Sequence, residues 1–345
     1  MVAASAFMAG VASASTEPPG DSSAPAPGVA TLSDEELAAL YEAAKAEGSV
    51  VLYTAANEVQ VAPLIEGFQS RWPDIEVEWS RTSTPEMIQR FNAEADAGAV
   101  STDVIHAPDF TFLRDAVDRD LLLPLTESPI PADFPAEWVL DDGALAVQTV
   151  TLSGLAYNSS LIDEADAPQT WEDLLDPKWK GQILALDPNL AGGAIREFWD
   201  FVERALGPEY LEGIAAQDLI WYDSAVPAAQ AHAAGEAPIF IPAFPSLTSQ
   251  MQANGAPVVQ VEQSTATGVI FGALPVAGAE HPNAAALLVY DMYTAESQDA
   301  FANASGQVSP WGGGMSQAPE DFFFPESASA NSEERIVEIN ELLGL

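Results

Sequence analysis

The sequence predicts an α/β protein built as two lobes joined by two chain crossings. Three observations carry that expectation. Residues 50–105 alternate strand-like apolar runs with stretches of helical spacing, and the same alternation returns over residues 183–242. Between and after these blocks lie two apolar segments, Ala144 to Tyr157 and Gly268 to Pro275, each long enough to leave one block and enter the other. With 345 residues and 48% apolar content, the chain can bury a large core as one large or two medium units.

The first helix begins at Ser33-Asp34-Glu35-Glu36, where Ser33 can cap the helix and Glu36 can return the capping-box bond. Leu37, Leu40 and Tyr41 then share one face, and Gly48 ends the helix. Val50-Val51-Leu52-Tyr53 reads as a buried strand, and residues 58–71 carry Val61, Leu64, Ile65 and Phe68 at helical spacing. Ile75 to Trp79 alternates as a strand. Thr84-Pro85-Glu86 opens a helix with a cap followed by proline, and Asp103-Val104-Ile105 makes a third short strand. This βαβαβ order implies a parallel sheet with helices on both faces.

The first crossing spans Ala144 to Tyr157 and is interrupted by Gly154. Beyond it, Asp176-Pro177 followed by Lys178-Trp179-Lys180-Gly181 breaks a short helix and feeds the strand Ile183-Leu184-Ala185-Leu186. Helices are expected at 192–206, 208–216 and 224–234, and strands at 218–222 and 238–242. Val258 to Val261 and then Gly268 to Pro275 form the return crossing. His281-Pro282 starts a helix over 282–294, and a helix over 332–343 packs back on the body. The expected division is 33–150 plus 268–345 for the first lobe with the C-terminal helices, and 151–267 for the second.

Eleven basic residues against 52 acidic ones give a formal charge of −41, which repels phosphate backbones and anionic lipid surfaces. Nucleic acid and direct membrane binding are thereby disfavoured. The charge reads as a solvated acidic coat, consistent with a salty habitat, or alternatively as a match to a cationic ligand. Cysteine is absent, so thiol catalysis, disulfides, iron–sulfur clusters and a lipid-modified cysteine anchor are excluded. Residues 1–15 read as a signal peptide lacking its basic start, with Ala12-Ser13-Ala14 fitting a cleavage site. Residues 16–32, with Pro18, Pro19, Pro25 and Pro27 among small residues, read as a flexible exported tether. Secretion to the periplasm or the cell exterior, associated with the cell surface, is the expected location.

In so acidic a chain a carboxylate pair carries little weight as an acid–base signature, and no nucleophile elbow, phosphate loop or dinucleotide fingerprint occurs. No catalytic residue is expected. His106, His232 and His281 lack metal-ligand spacing, and no metal site or cofactor is expected. Gly192-Gly193 follows a strand end and precedes a helix, a turn that exposes backbone N–H groups to a carboxylate, phosphate or phosphonate; the other reading is close helix–sheet packing. Tyr222-Asp223-Ser224 lies at a strand end, where Ser224 can cap a helix or, with Tyr222, meet a ligand. Ligands of parallel α/β sheets sit beyond the carboxyl ends of the strands. In the first lobe that rule selects Thr54 and Ala55, the loop Arg81 to Thr84 including Ser83, and Asp109. Arg81 can meet an anionic ligand or serve an intramolecular carboxylate.

Several of these stretches resemble extracellular solute-binding proteins of ABC importers, in the branch related to ferric-iron binders. The likeness runs from about residue 47 to 312. It includes Leu52-Tyr53-Thr54, Glu94, Asp103-Val104, Thr170-Trp171-Glu172-Asp173-Leu174 through Lys180-Gly181, Leu206-Gly207 with Tyr210-Leu211, Gly235 to Ile239, and Gly255 to Val258. The resemblance implies a periplasmic-binding-protein-like fold, type II-like, whose two lobes close on a small-molecule solute that an ABC permease of the cytoplasmic membrane then receives. It also implies a monomer. Iron-binding members carry adjacent tyrosines where this chain has Pro242-Ala243-Phe244-Pro245-Ser246, and Phe244 has no phenolate to give. A small organic anion, such as a phosphonate or carboxylate, is the expected solute, with ferric iron or an iron chelate as the alternative. A secreted carboxylate-dependent hydrolase or lyase and a surface adhesion module are the rivals from other classes.

Overall fold

The computed structural model describes residues 28–56, 58–305, 307–312, 319, 321–325 and 330–345. The expected signal peptide and most of the expected tether lie outside the described residues.

The first lobe opens as its periodicity indicates. Helix α1 (Asp34–Glu47) is entered through the Ser33/Glu36 capping box and closed by Gly48 in the left-handed conformation, at φ 79°. It is followed by β1 (Ser49–Thr54), α2 (Glu58–Arg71), β2 (Glu76–Arg81), α3 (Thr84–Asp96) and β3 (Val104–Ala107). The cap of α3 is Ser83 rather than Thr84, and the Glu86 carboxylate accepts from both the Ser83 N–H and its hydroxyl. Helix α4 (Phe110–Asp118) was not apparent from periodicity, although Phe110, Phe112, Leu113 and Ala116 are all buried. A small hairpin, β4 (Val139–Leu140) with β5 (Leu145–Ala146), precedes the first crossing.

That crossing is β6 (Thr149–Asn158). In the second lobe follow β7 (Ile183–Leu186), α5 (Gly193–Leu206), α6 (Pro208–Ala215), β8 (Ile220–Tyr222), α7 (Ala225–Ala233), β9 (Ile239–Ala243), α8 (Pro245–Ala253) and β10 (Val258–Val261). The return crossing is β11 (Thr265–Pro275), succeeded by α9 (Pro282–Met292), α10 (Ala295–Ser305), β12 (Asp321–Phe322) and α11 (Glu333–Leu343).

The strands form one sheet in the order β2-β1-β3-β11-β6-β9-β7-β8, with β10 added to β6 and β12 to β11. Each lobe is parallel at its core, β1 with β2 and β3, and β7 with β8 and β9. The sheet as a whole is mixed rather than parallel, because the crossing strands β6 and β11 run antiparallel to each other and to their neighbours β9 and β3. Two separate apolar clusters result. One gathers Leu52, Phe68, Phe91, Ile105, Leu274 and Leu288, and the other Leu184, Phe198, Trp199, Phe201, Leu211 and Phe240. The crossing strands feed both: Val150 belongs to the first cluster, Leu155 to the second.

Two expectations need correction. The tether does not extend to residue 32. Ala30 lies on the first lobe, donating to the Leu125 carbonyl and accepting from the Ile130 N–H, and Gly28 is packed so closely that a Cβ there would stand 2.2 Å from the Asp142 carbonyl oxygen. The C-terminal helix, expected with the first lobe, belongs instead to the second: Ile339 and Leu343 of α11 are buried in that cluster. Its apolar stripe is short, and ion pairs from Arg335 to Asp200 and Glu203 on α5 decide where it docks.

Candidate functional site: a cleft between the lobes

A cavity of about 880 Å³ opens between the lobes. From the first lobe come the starts of α3 (Thr84, Pro85) and α4 (Asp109, Thr111), with Gln89 one turn further along α3. From the second lobe comes the start of α5: Gly192, Gly193, Ala194 and Glu197. Val269 of β11, which touches both apolar clusters, and Asn331 also line it.

Three helix N-termini therefore face one space, each presenting N–H groups that no helical carbonyl can satisfy and the positive end of its dipole. They are not equivalent. At α3 the Ser83/Glu86 box, and at α4 the Asp109 carboxylate accepting from the Phe112 N–H at 2.8 Å, place negative charge at the helix start. At α5 the cap position is Gly192, which has no side chain to offer, and the N–H groups of Gly193 and Ala194 have no acceptor among the described residues. Gly192 sits at φ 100°, a conformation costly for any side chain, in open space.

The start of α5 is held in place by its own residues. Arg196 Nε donates to the Pro188 carbonyl at 3.0 Å and its Nη1 to Asn331 Oδ1 at 3.2 Å, while Trp199 Nε1 donates to the Leu186 carbonyl at 2.9 Å. Asn189 and Asn340 exchange reciprocal amide hydrogen bonds of 3.0 Å, tying the loop after β7 to α11. Asn331 lies so near that a Cβ on Gly193 would meet its Oδ1 at 3.2 Å. The glycine pair thus serves both readings drawn from sequence, close packing at Gly193 and an open backbone at the cleft.

Of the residues selected from sequence, Thr84, Asp109, Gly192 and Gly193 line this cleft together. Ser83 stands beside it as the cap of α3. Thr54 is fully buried, its Oγ1 engaged with His106 Nδ1 and the Ala56 N–H, and Ala55 is half-buried with its N–H on the His106 carbonyl. Arg81 is exposed at the end of β2 and, among the described residues, pairs with no carboxylate, so of its two readings the intramolecular one finds no partner among them. The remaining three are turned away. Tyr222 donates to Glu236 at 2.8 Å and borders a separate shallow depression with Asp187, Leu190 and Trp221. Ser224 occupies the cap position of α7 but its side chain makes no capping bond, contrary to expectation. Phe244 is buried in the second cluster at the start of α8.

Sequence reasoning missed Gln89, Thr111, Glu197, Val269 and Asn331. Glu197 alone had a signal, since it lies four residues after Gly193 on the same helical face. Asn331 had none, because only the docking of α11 brings it to the cleft. Among the described residues no tyrosine lines the cleft and no cluster of three potential metal ligands occurs.

An α/β sheet shared by two lobes, with strand-end loops and helix starts facing one cleft, is the construction of a solute-binding protein. The chain belongs to the bacterial extracellular solute-binding protein family, whose sequence profile matches residues 64–311. Solved structures agree on the fold. Iron-bound HitA from Pseudomonas aeruginosa is 20% identical with a TM-score of 0.64, over 86% of this chain and 99% of that one. The substrate-binding protein of an ABC transporter from Agrobacterium tumefaciens reaches 0.69 at 16% identity, over 86% and 94%. AfuA from Actinobacillus pleuropneumoniae, with fructose-6-phosphate bound, reaches 0.59 at 20% identity, over 86% and 98%. No individually curated sequence matches. Among the described residues no helix is long and apolar enough to cross a membrane.

Proposed function

We propose that this protein is the secreted, non-enzymatic solute-binding component of an ABC import system, holding a small organic anion in the inter-lobe cleft and presenting it to a permease of the cytoplasmic membrane. One observation carries the anion: the N–H groups of Gly193 and Ala194, which find no acceptor among the described residues at a helix start with no capping side chain, open into a cavity shared by both lobes. A carboxylate or phosphonate there would complete the hydrogen bonds that the helix lacks. We place the lobes at residues 33–150 with the segment from 268, and 151–267, α11 going to the latter. A solute touching both would favour the closed arrangement by its greater affinity for it. The similarity to HitA keeps ferric iron as the alternative, against which stands that no tyrosine among the described residues lines the cleft.

The test is a thermal-unfolding screen with carboxylates, phosphonates, polyamines, sugars, and ferric iron with citrate, on protein refolded free of ligand. A solute at about 100 times its Kd should add about 2.7 kcal/mol and raise Tm by several degrees. A selective response to ferric citrate alone would overturn the anion reading. A solute chemically altered after incubation would favour the hydrolase instead, and silence across the panel would favour the adhesion module.

A further inference from the structure

We propose that Ser49, His281 and Asp103 form a second site, an activated serine that cleaves small, activated esters by passing their acyl group to water. Ser49 opens β1, Asp103 precedes β3 and His281 precedes α9, whereas the cleft residues Pro108 and Asp109 follow the opposite end of β3. The site therefore acts on a molecule other than the solute held in the cleft. His281 Nδ1 stands 2.9 Å from Asp103 Oδ2, and its Nε2 stands 3.4 Å from Ser49 Oγ. A carboxylate oxygen only accepts, so Nδ1 carries the ring hydrogen and Nε2 is left as an acceptor for the serine hydroxyl. This is the acid, base and nucleophile order that activates a serine, and it is recognised by geometry and role rather than by place in the chain. A long contact between base and nucleophile is ordinary in a free site and tightens when substrate arrives.

The imidazole is held in this orientation. Asp103, 2% exposed, accepts from the His281 N–H at 3.1 Å through Oδ1 and from the Val51 N–H at 2.8 Å through Oδ2, so one carboxylate fixes both the backbone and the ring of His281. Glu47 is engaged elsewhere, accepting from the N–H groups of Asn283 and Ala284 at 3.1 and 2.7 Å and from the Asn283 amide at 2.6 Å, which seats the start of α9. A histidine that only tied α9 to the sheet would need Nδ1 alone; here the other nitrogen meets a hydroxyl. The His281 side chain is 20% exposed and Ser49 is half-buried, so water and a small acyl group can reach them. The Ser49 N–H lies on the same edge of β1 as that of Val51, since alternate strand residues share an edge, and offers a donor to the oxygen that becomes negative. A surface site of this kind suits short acyl esters of a good leaving group, such as a phenol, rather than amides. Ser49 Oγ bonds to the carbonyl carbon as its proton passes to His281 Nε2, and the phenol oxygen leaves with that proton. Water then attacks the acyl-serine, its proton returns through Nε2 to Ser49 Oγ, and the free acid departs.

The experiment treats the full chain with p-nitrophenyl acetate, following release of p-nitrophenol and locating acetyl groups by peptide mass mapping. A fluorophosphonate, which reacts with activated serines, is mapped in parallel. Acetyl and phosphonyl groups should appear on Ser49, and Ser49→Ala should lower phenol release at least about tenfold. His281→Gln should do the same with the serine still present, an effect that a serine of purely structural role would not show. The fluorophosphonate map is made on the unaltered protein, so a variant that folds poorly cannot imitate the result. A Ser49 that stays unlabelled, acetyl groups confined to lysines, or undiminished release by Ser49→Ala would each overturn the activated serine, and all three leave the solute-binding reading untouched.

Discussion

Gly268 on β11 lies opposite Leu152 on β6, and a Cβ on Gly268 would stand 2.6 Å from the Thr151 carbonyl oxygen. The neighbouring crossing has its own such point, since a Cβ on Gly154 would meet Gln260 Nε2 at 2.6 Å. These glycines sit where β6 changes partners, from β11 in its first half to β9 and β10 in its second. Gly268→Ala must displace backbone, so it should cost about 1–3 kcal/mol, as overpacking does. Gly154→Ala should cost less, because the clashing atom is the end of a flexible amide, although the Val261 carbonyl at 3.2 Å also crowds it. Urea unfolding of both variants measures the difference, and equal costs would refute the backbone argument.

Asp291, 1% exposed, accepts from Arg71 Nε at 2.8 Å and Nη2 at 2.6 Å, from Trp72 Nε1 at 2.9 Å and from Ser297 Oγ at 2.6 Å. This knot joins α2 to α9 and α10. Arg71→Met would strand a buried carboxylate and should destabilise by about 3–5 kcal/mol. Replacing Lys45 by Met in the exposed pair Lys45–Asp74, at 2.9 Å, should have a far smaller effect, because water screens that pair. Chemical denaturation of the two variants separates these cases.

Arg335 clamps α11 onto α5, with Nε on Asp200 at 2.6 Å and Nη2 on Glu203 at 2.6 Å. Arg204 also pairs with Asp200, so Arg335→Met does not leave that carboxylate alone. The expected loss is about 1–3 kcal/mol. Solute affinity should fall with it, because α11 also braces the Asp187–Gly193 loop through Asn340. A variant that loses stability but binds solute normally would show that the brace does not reach the cleft.

His106 is fully buried beside Phe271 and Phe301, with Thr54 Oγ1 on its Nδ1, and burial lowers its pKa from 6.5 to about 4. The unfolded chain therefore takes up this proton first as pH falls. Stability from the neutral ring is complete above about 6.5 and is lost progressively toward 4, by on the order of 3 kcal/mol. His106→Gln should flatten that part of the stability curve, read as the difference between variant and parent at each pH. Parallel curves between those limits would contradict the assignment.

Local chemistry was legible wherever a few neighbouring residues decide the outcome. Ser33 with Glu36, Gly48, and the apolar spacing of Val61, Leu64, Ile65 and Phe68 mark α1 and α2, and the strand-end rule with an unusual glycine pair pointed to Thr84, Asp109, Gly192 and Gly193, which line one cleft. Helices α4 and α8 went unread because their apolar residues form no long periodic run. The same strand-end rule selected Tyr222 and Thr54, and the family resemblance Phe244, whose side chains turn to Glu236, His106 and the second core respectively. Those choices depend on partners distant in sequence, as do the docking of α11 on the second lobe and the arrival of Asn331 at the cleft. Most elements, the two crossings and the glycine-capped start of α5 could be read from the chain, because capping, turn and periodicity act over a few residues. Which helix starts share one space, and which side chains line it, is set by folding, because burial and ion pairing join residues that the chain holds far apart.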